Sequence, residues 1–151
     1  MTSRAIGRAA PFRSRQGGEA GRRRPAAGLA YDPRMDASAI VVPPGKGHVL
    51  GNVEFLARTA DTPRFNFAII EIVAGRELEP HVHETEDDAF YILEGELTFI
   101  FDGRQVSAGP GAFVLVPPGV EHAFRNDGPD SVRMLNIHAP AGFDRRIGLE
   151  D

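Results

Sequence analysis

The chain contains no cysteine. That absence excludes disulfides, thiolate nucleophiles and sulfur-ligated zinc or iron–sulfur sites, so any metal must be held by nitrogen and oxygen. No apolar run approaches the roughly 20 residues that a membrane-spanning helix needs. A glycine-rich phosphate loop, a GxGxxG fingerprint after a strand and the GxSxG elbow of a nucleophilic serine are all missing. So is any convincing helical period. What the 151 residues hold instead is 42% hydrophobic and 25% charged, enough apolar material for one core in an ordinary soluble domain.

Charge is unevenly spread. Residues 1–34 carry eight arginines, among them Arg22, Arg23 and Arg24, against only Glu19 and Asp32, a net of +6. Because the whole chain is at −4, the remainder stands at −10, an acidic body that repels nucleic-acid phosphates. The Arg-, Ala- and Gly-rich composition of 1–34 predicts a disordered extension ahead of a folded domain over 35–151. Three readings fit the extension: a nucleic-acid or membrane-surface arm, a transit peptide, or an over-long reading frame whose true start is Met35. The last is preferred, because Met35 sits where the ordered pattern begins. No apolar segment follows the early arginines as a secretory signal would require, so a cytoplasmic location is expected, with neither membrane nor nucleic acid as partner.

From Ile40 onward the pattern is one of short strands and turns. Candidate strands are Val49–Ala57, Phe65–Val73, Asp88–Leu93, Glu96–Phe101, Arg104–Ser107, Ala112–Val116, His122–Asn126 and Val132–His138. Glu94-Gly95 and Asp102-Gly103 read as hairpin turns. Gly109-Pro110-Gly111, Pro117-Pro118-Gly119 and Asp127-Gly128-Pro129 punctuate the rest. Many short strands at this spacing imply an all-β sandwich or barrel. The tail after Pro140 reads as a short covering segment.

The chemistry concentrates in two places. His81 and His83 alternate, so on a strand both imidazoles point to one face. They are followed at once by the carboxylates Glu84, Glu86, Asp87 and Asp88, and a third histidine, His122, follows Pro117-Pro118-Gly119. Imidazole with carboxylate is a ligand set for a divalent transition metal. A lone His-x-His pair is more often a solvated strand than a site; the third histidine and the acid reverse that balance.

These residues resemble the cupin superfamily, in particular its small, type-2, quercetin-dioxygenase-like members. Gly75, His81, His83, Asp88 and Gly95 fill the places of its first motif, and Gly111, Pro117, Gly119, His122 and Asn126 those of its second. The resemblance implies a single jelly-roll β-barrel (double-stranded β-helix). It also implies one divalent metal (Fe, Mn, Ni, Co or Zn) held by His81, His83, His122 and Asp88, and a homodimer that would cover the exposed sheet edges. Where the family usually has Glu this chain has Asp88, shorter by about 1.3 Å of reach. Three outcomes are open: the strand shifts inward, a water bridges, or only the histidines ligate. Glu86 shares a strand face with Asp88 by alternation and could substitute for it, and either carboxylate could serve as a catalytic base.

Around this centre, Phe90 and Phe124 share faces with Asp88 and His122; they line a substrate pocket or, the preferred use, fill the core. Asn136 and His138 share one face of their strand. Turned inward they orient ligands or substrate; turned outward they meet solvent or a partner. Asn126 is expected to bond the turn after its strand, and His48 to be exposed. The favoured function is a metal-dependent oxygenase acting on a small aromatic or enol-type molecule. The alternatives are a metal-dependent isomerase, cyclase or decarboxylase, or a non-catalytic small-ligand-binding protein.

Overall fold

In the computed structural model, which describes residues 39–149, the turn residues cut the chain into ten strands and one helical turn. The strands are β1 (His48–Leu50), β2 (Val53–Ala57), β3 (Asn66–Ile72), β4 (Glu77–His81), β5 (Asp87–Glu94), β6 (Leu97–Phe101), β7 (Arg104–Ala108), β8 (Phe113–Val116), β9 (His122–Arg125) and β10 (Val132–Ala139), followed by α1 (Phe143–Arg146). They form two antiparallel sheets, one of six strands in the order β1-β2-β3-β10-β5-β8 and one of four in the order β4-β9-β6-β7. Their inner faces enclose the core of the expected jelly roll, and the expectations for residues 1–34 fall outside the described residues.

Alternation drives the packing. On β6, Leu97 and Phe99 are buried, and Phe99 meets Phe90 and Phe124 with ring centroids 5.1 and 6.0 Å apart. Three neighbouring strands of the larger sheet change character at the same end. Along β10 the inward residues run Val132, Met134, Asn136, His138; along β3, Ile72, Ile70, Ala68, Asn66; along β5, Ile92, Phe90, Asp88. The register sets His138 opposite both Asn66 and Asp88, so the polar ends coincide. Buried polar groups are costly unless they meet partners. Their collection at one end of the barrel marks the site.

Several expectations need correction. Val49–Ala57 is not one strand: Gly51-Asn52 forms a two-residue turn between β1 and β2, with Leu50 opposite Val53. Glu94-Gly95 is not a hairpin turn, because β5 and β6 belong to different sheets and the chain crosses between them there. Gly95 is needed at that crossing for space, since a Cβ would stand 2.9 Å from the Ser131 carbonyl oxygen. Asp102-Gly103 is a hairpin turn, and both residues take positive φ (47° and 76°), as a type I′ turn requires. The strand β4 is an addition. It ends at His81, so His83 is not held by strand alternation but by the loop beyond, and Glu86 likewise precedes β5.

Candidate metal centre

Both sheets contribute to the site. From the smaller sheet, β4 and β9 pair with His81 directly opposite His122. From the larger, β5 supplies Asp88 and β10 supplies Asn136 and His138, all three buried. His83 comes from the loop that joins the sheets. Its carbonyl accepts a 2.8 Å hydrogen bond from the Gly119 N–H, which ties that loop to the turn preceding His122. Gly75 N–H bonds the Asn126 carbonyl, and Asn126 N–H bonds that of Arg76, so the start of the first motif is fastened to the end of the second. The side chain of Asn126 spans the Ile72 and Asp130 carbonyls and accepts from Gly128 N–H, bonding the turn after its strand.

His81, His83, Asp88 and His122 each bring one donor atom into a group whose members all lie within 4.8 Å of one another. Hydrogen bonding fixes two of the rings. His81 Nδ1 donates to the Glu79 carbonyl at 2.9 Å and His122 Nδ1 to the Val120 carbonyl at 3.1 Å. A carbonyl only accepts, so in the neutral ring each Nε2 carries a bare lone pair. His122 Nε2 stands 3.3 Å from Asp88 Oδ2 and His83 Nε2 stands 3.5 Å from the same oxygen. For neutral His122 this sets acceptor against acceptor, a contact that a cation between them resolves. Ligands on one ion with bonds near 2.1 Å lie about 3.0–3.4 Å apart, so the His122–Asp88 pair has the spacing of two ligands on a divalent transition ion and His83 stands just beyond it. The shorter Asp88 therefore still brings Oδ2 into the group. Its Oδ1 is held from behind by Asn136 Nδ2 at 2.6 Å.

The electrostatics keep Asp88 and His81 in ligating form. Burial raises the Asp88 carboxyl most, but the contacts of His122 and His83, the charge of His138 and the Asn136 bond outweigh it and hold the group at about 2. Burial lowers His138 to about 4, with the charges of His83 and Arg146 adding to it. His81 is also lowered, chiefly by burial. Glu86 is lowered chiefly by its hydrogen bond from Arg146.

A cavity of about 540 Å³ ends on His81, His83, Asp88 and His138. Its walls are mostly apolar, with Val53, Ile70, Ile72, Phe90, Phe124 and Phe143 beside His81, His83, Asp88, Asn136 and His138. Phe90 and Phe124 thus line the cavity while also packing in the core. Asn136 and His138 turn inward, which closes that open question. Glu86 does not join the His81–His122 group. Its Oε1 accepts from Arg146 at 2.7 Å, and its Oε2 faces His83 and His138 at 3.6 and 3.4 Å. Sequence reasoning missed Phe143 and Arg146, both in the cavity wall. Phe143 stacks on His138 (4.1 Å, 22°), and α1 is pinned by its Phe143 N–H to Asn66 and by Asp144 to Thr59. Their i, i+3 spacing after Pro140 was the available signal. His48, on β1, is exposed.

Residues 68–138 match the family model described as a cupin domain. Quercetin 2,3-dioxygenase from Bacillus subtilis (strain 168) is 33% identical over 70 residues, which cover 46% of this chain and 20% of that protein. The chain spans between 20% and 50% of the four curated relatives it matches. Among solved structures, a Klebsiella pneumoniae protein with a double-stranded β-helix domain aligns with a TM-score of 0.54 at 21% identity, covering 59% of this chain and 76% of that one. The polyketide cyclase RemF from Streptomyces resistomycificus aligns with a TM-score of 0.54 at 28% identity, covering 58% and 63%. Two antiparallel sheets closed into a double-stranded β-helix, the two motifs in order and the family model over residues 68–138 agree: the barrel of this chain is similar to a cupin domain.

Proposed function

We propose that the protein is a metal-dependent enzyme acting on a small, hydroxylated aromatic or enolic molecule, with His81, His83, His122 and Asp88 as the metal ligands. The observation that carries this reading is the apolar cavity ending on His81, His83 and Asp88 of the donor group. When bound, the ion supplies Lewis acidity toward a chelating oxygen pair and, if redox-active, a route for electrons between substrate and dioxygen. The chain's own residues do the rest. Phe90, Phe124 and Phe143 hold a flat apolar body and exclude water from it. Asn136 keeps Asp88 oriented. With its proton on Nδ1, toward Glu86 Oε2, neutral His138 in the cavity wall accepts a proton at Nε2 from a substrate hydroxyl, and Glu86 behind it steadies the charge that forms. Glu86 is therefore a positioning residue, since it is absent from the cavity wall.

Dioxygenation is the first reading, supported by the likeness to quercetin 2,3-dioxygenase. Cyclisation without oxygen is the second. It is favoured by the His138–Glu86 pair, proton-transfer equipment beside the ion, and by the likeness to RemF. Oxygen uptake by protein loaded in turn with Fe(II), Ni(II), Mn(II) and Zn(II), assayed with flavonols and β-diketones, tests the first. The expected result is uptake with a redox-active ion that disappears in His122→Ala. Anaerobic conversion of the same compounds would select the second reading, and a wild-type protein that binds no ion would overturn both.

A further inference from the structure

His138 presents its two nitrogens to two carboxylates. Its Nε2 lies 3.4 Å from Asp88 Oδ1 and its Nδ1 3.4 Å from Glu86 Oε2. A neutral imidazole carries one proton, so when Nε2 donates, Nδ1 turns a lone pair toward the Glu86 oxygen. Neither His138 Nδ1 nor Glu86 Oε2 has a hydrogen-bond partner, although both atoms are closed off from solvent. His83 Nδ1 adds a third donor, 3.6 Å from the same Glu86 oxygen. One donor atom from each of His83, Glu86 and His138 lies within 4.8 Å of the other two, a group that shares only His83 with the one built on His122.

The geometry points to a second divalent-cation site formed by His83 Nδ1, Glu86 Oε2 and His138 Nδ1, adjacent to the first and sharing the His83 ring with it. Two imidazoles and one carboxylate select Zn(II), Cu(II) or Ni(II) over Mg(II) or Ca(II). The site is built rather than incidental: His138 is 3% exposed and is clamped by its stack on Phe143. Arg146 Nη1 fixes Glu86 Oε1 at 2.7 Å and so aims Oε2 inward. The same guanidinium repels a nearby cation, and a shared ring must give up its remaining proton to hold two ions. Both effects make the second site weaker than the first. An ion there ties up the His138–Glu86 pair, so excess metal inhibits; that consequence rests on the proposed function, whereas the binding itself does not.

Calorimetric titration of the metal-free full chain with Zn(II), repeated with Co(II) and read by its visible absorption, tests the proposal. Wild type is expected to show two unequal steps. Glu86→Gln keeps the tight step and loses the weak one. His122→Ala loses the tight step and keeps the one that depends on Glu86. A single step in wild type overturns the second site and leaves the first standing. A weak step that survives in both Glu86→Gln and His138→Gln means an adventitious ion only and overturns it as well. A Glu86-dependent step without a tight one overturns the first site and keeps the second.

Discussion

Asp88 is the residue on which the centre turns. One oxygen faces His122 and His83 and the other is gripped by Asn136 and faced by His138. Removing the Asn136 amide leaves the carboxylate free to rotate and deprives Oδ1 of its neutral donor. Asn136→Leu, close in size, is expected to weaken metal binding about 10–100-fold while the fold persists. Competition with a chromogenic chelator measures this, and an unchanged affinity would show that Asn136 does not orient the ligand. The sequence placed Asn136 and His138 on a common face but not on the inner one. Only pairing with β5 decides that, and pairing partners are not written in a strand's own residues.

At the scale of elements, the parts read best from sequence were those with strong turn chemistry. The glycine and proline punctuation located β5 through β10 to within a residue or two. What escaped notice had weak local signals. β4 has four exposed residues, Pro80 among them, so it lacks alternation; it forms because it is an edge strand, where a missing N–H goes unpunished. Gly51-Asn52 was a legible hairpin signal buried in an apolar run, and α1 is a single turn held by tertiary contacts, among them those with Asn66, Thr59 and His138. The turn after β9 is where side-chain chemistry matters most. Asn126→Ala leaves two carbonyls and one N–H without their partner and is expected to cost about 2–4 kcal/mol. Urea denaturation of the metal-free protein measures it; a loss below about 1 kcal/mol would mean that water replaces the amide.

For the whole molecule, the site makes folding sensitive to acid. His138 binds its proton more weakly folded (about 4) than unfolded (6.5), and His81 is lowered in the same direction. Protonation therefore favours the unfolded chain. Their contribution is intact above about pH 6.5 and declines as pH falls toward 4. Asp88, about 2 folded against 3.8 unfolded, adds a further loss below pH 3.8. Metal-free protein is thus expected to lose a few kcal/mol between pH 7 and 4.5, read from urea midpoints. His138→Gln should flatten that slope; a level wild-type profile would mean that the rings are not held neutral by burial.

The place of β10 has one more consequence. It lies in the middle of the larger sheet, between β3 and β5, yet it is the last strand in chain order. A chain emerging from the ribosome exposes the unpaired inner edges of β3 and β5 until residues 132–139 follow. The same strand delivers Asn136 and His138, so the candidate site acquires that part of its wall only when the sheet is zipped shut. Synthesis thereby orders the two events: closure of the barrel comes first or together with a finished pocket, and a nascent chain short of β10 has neither.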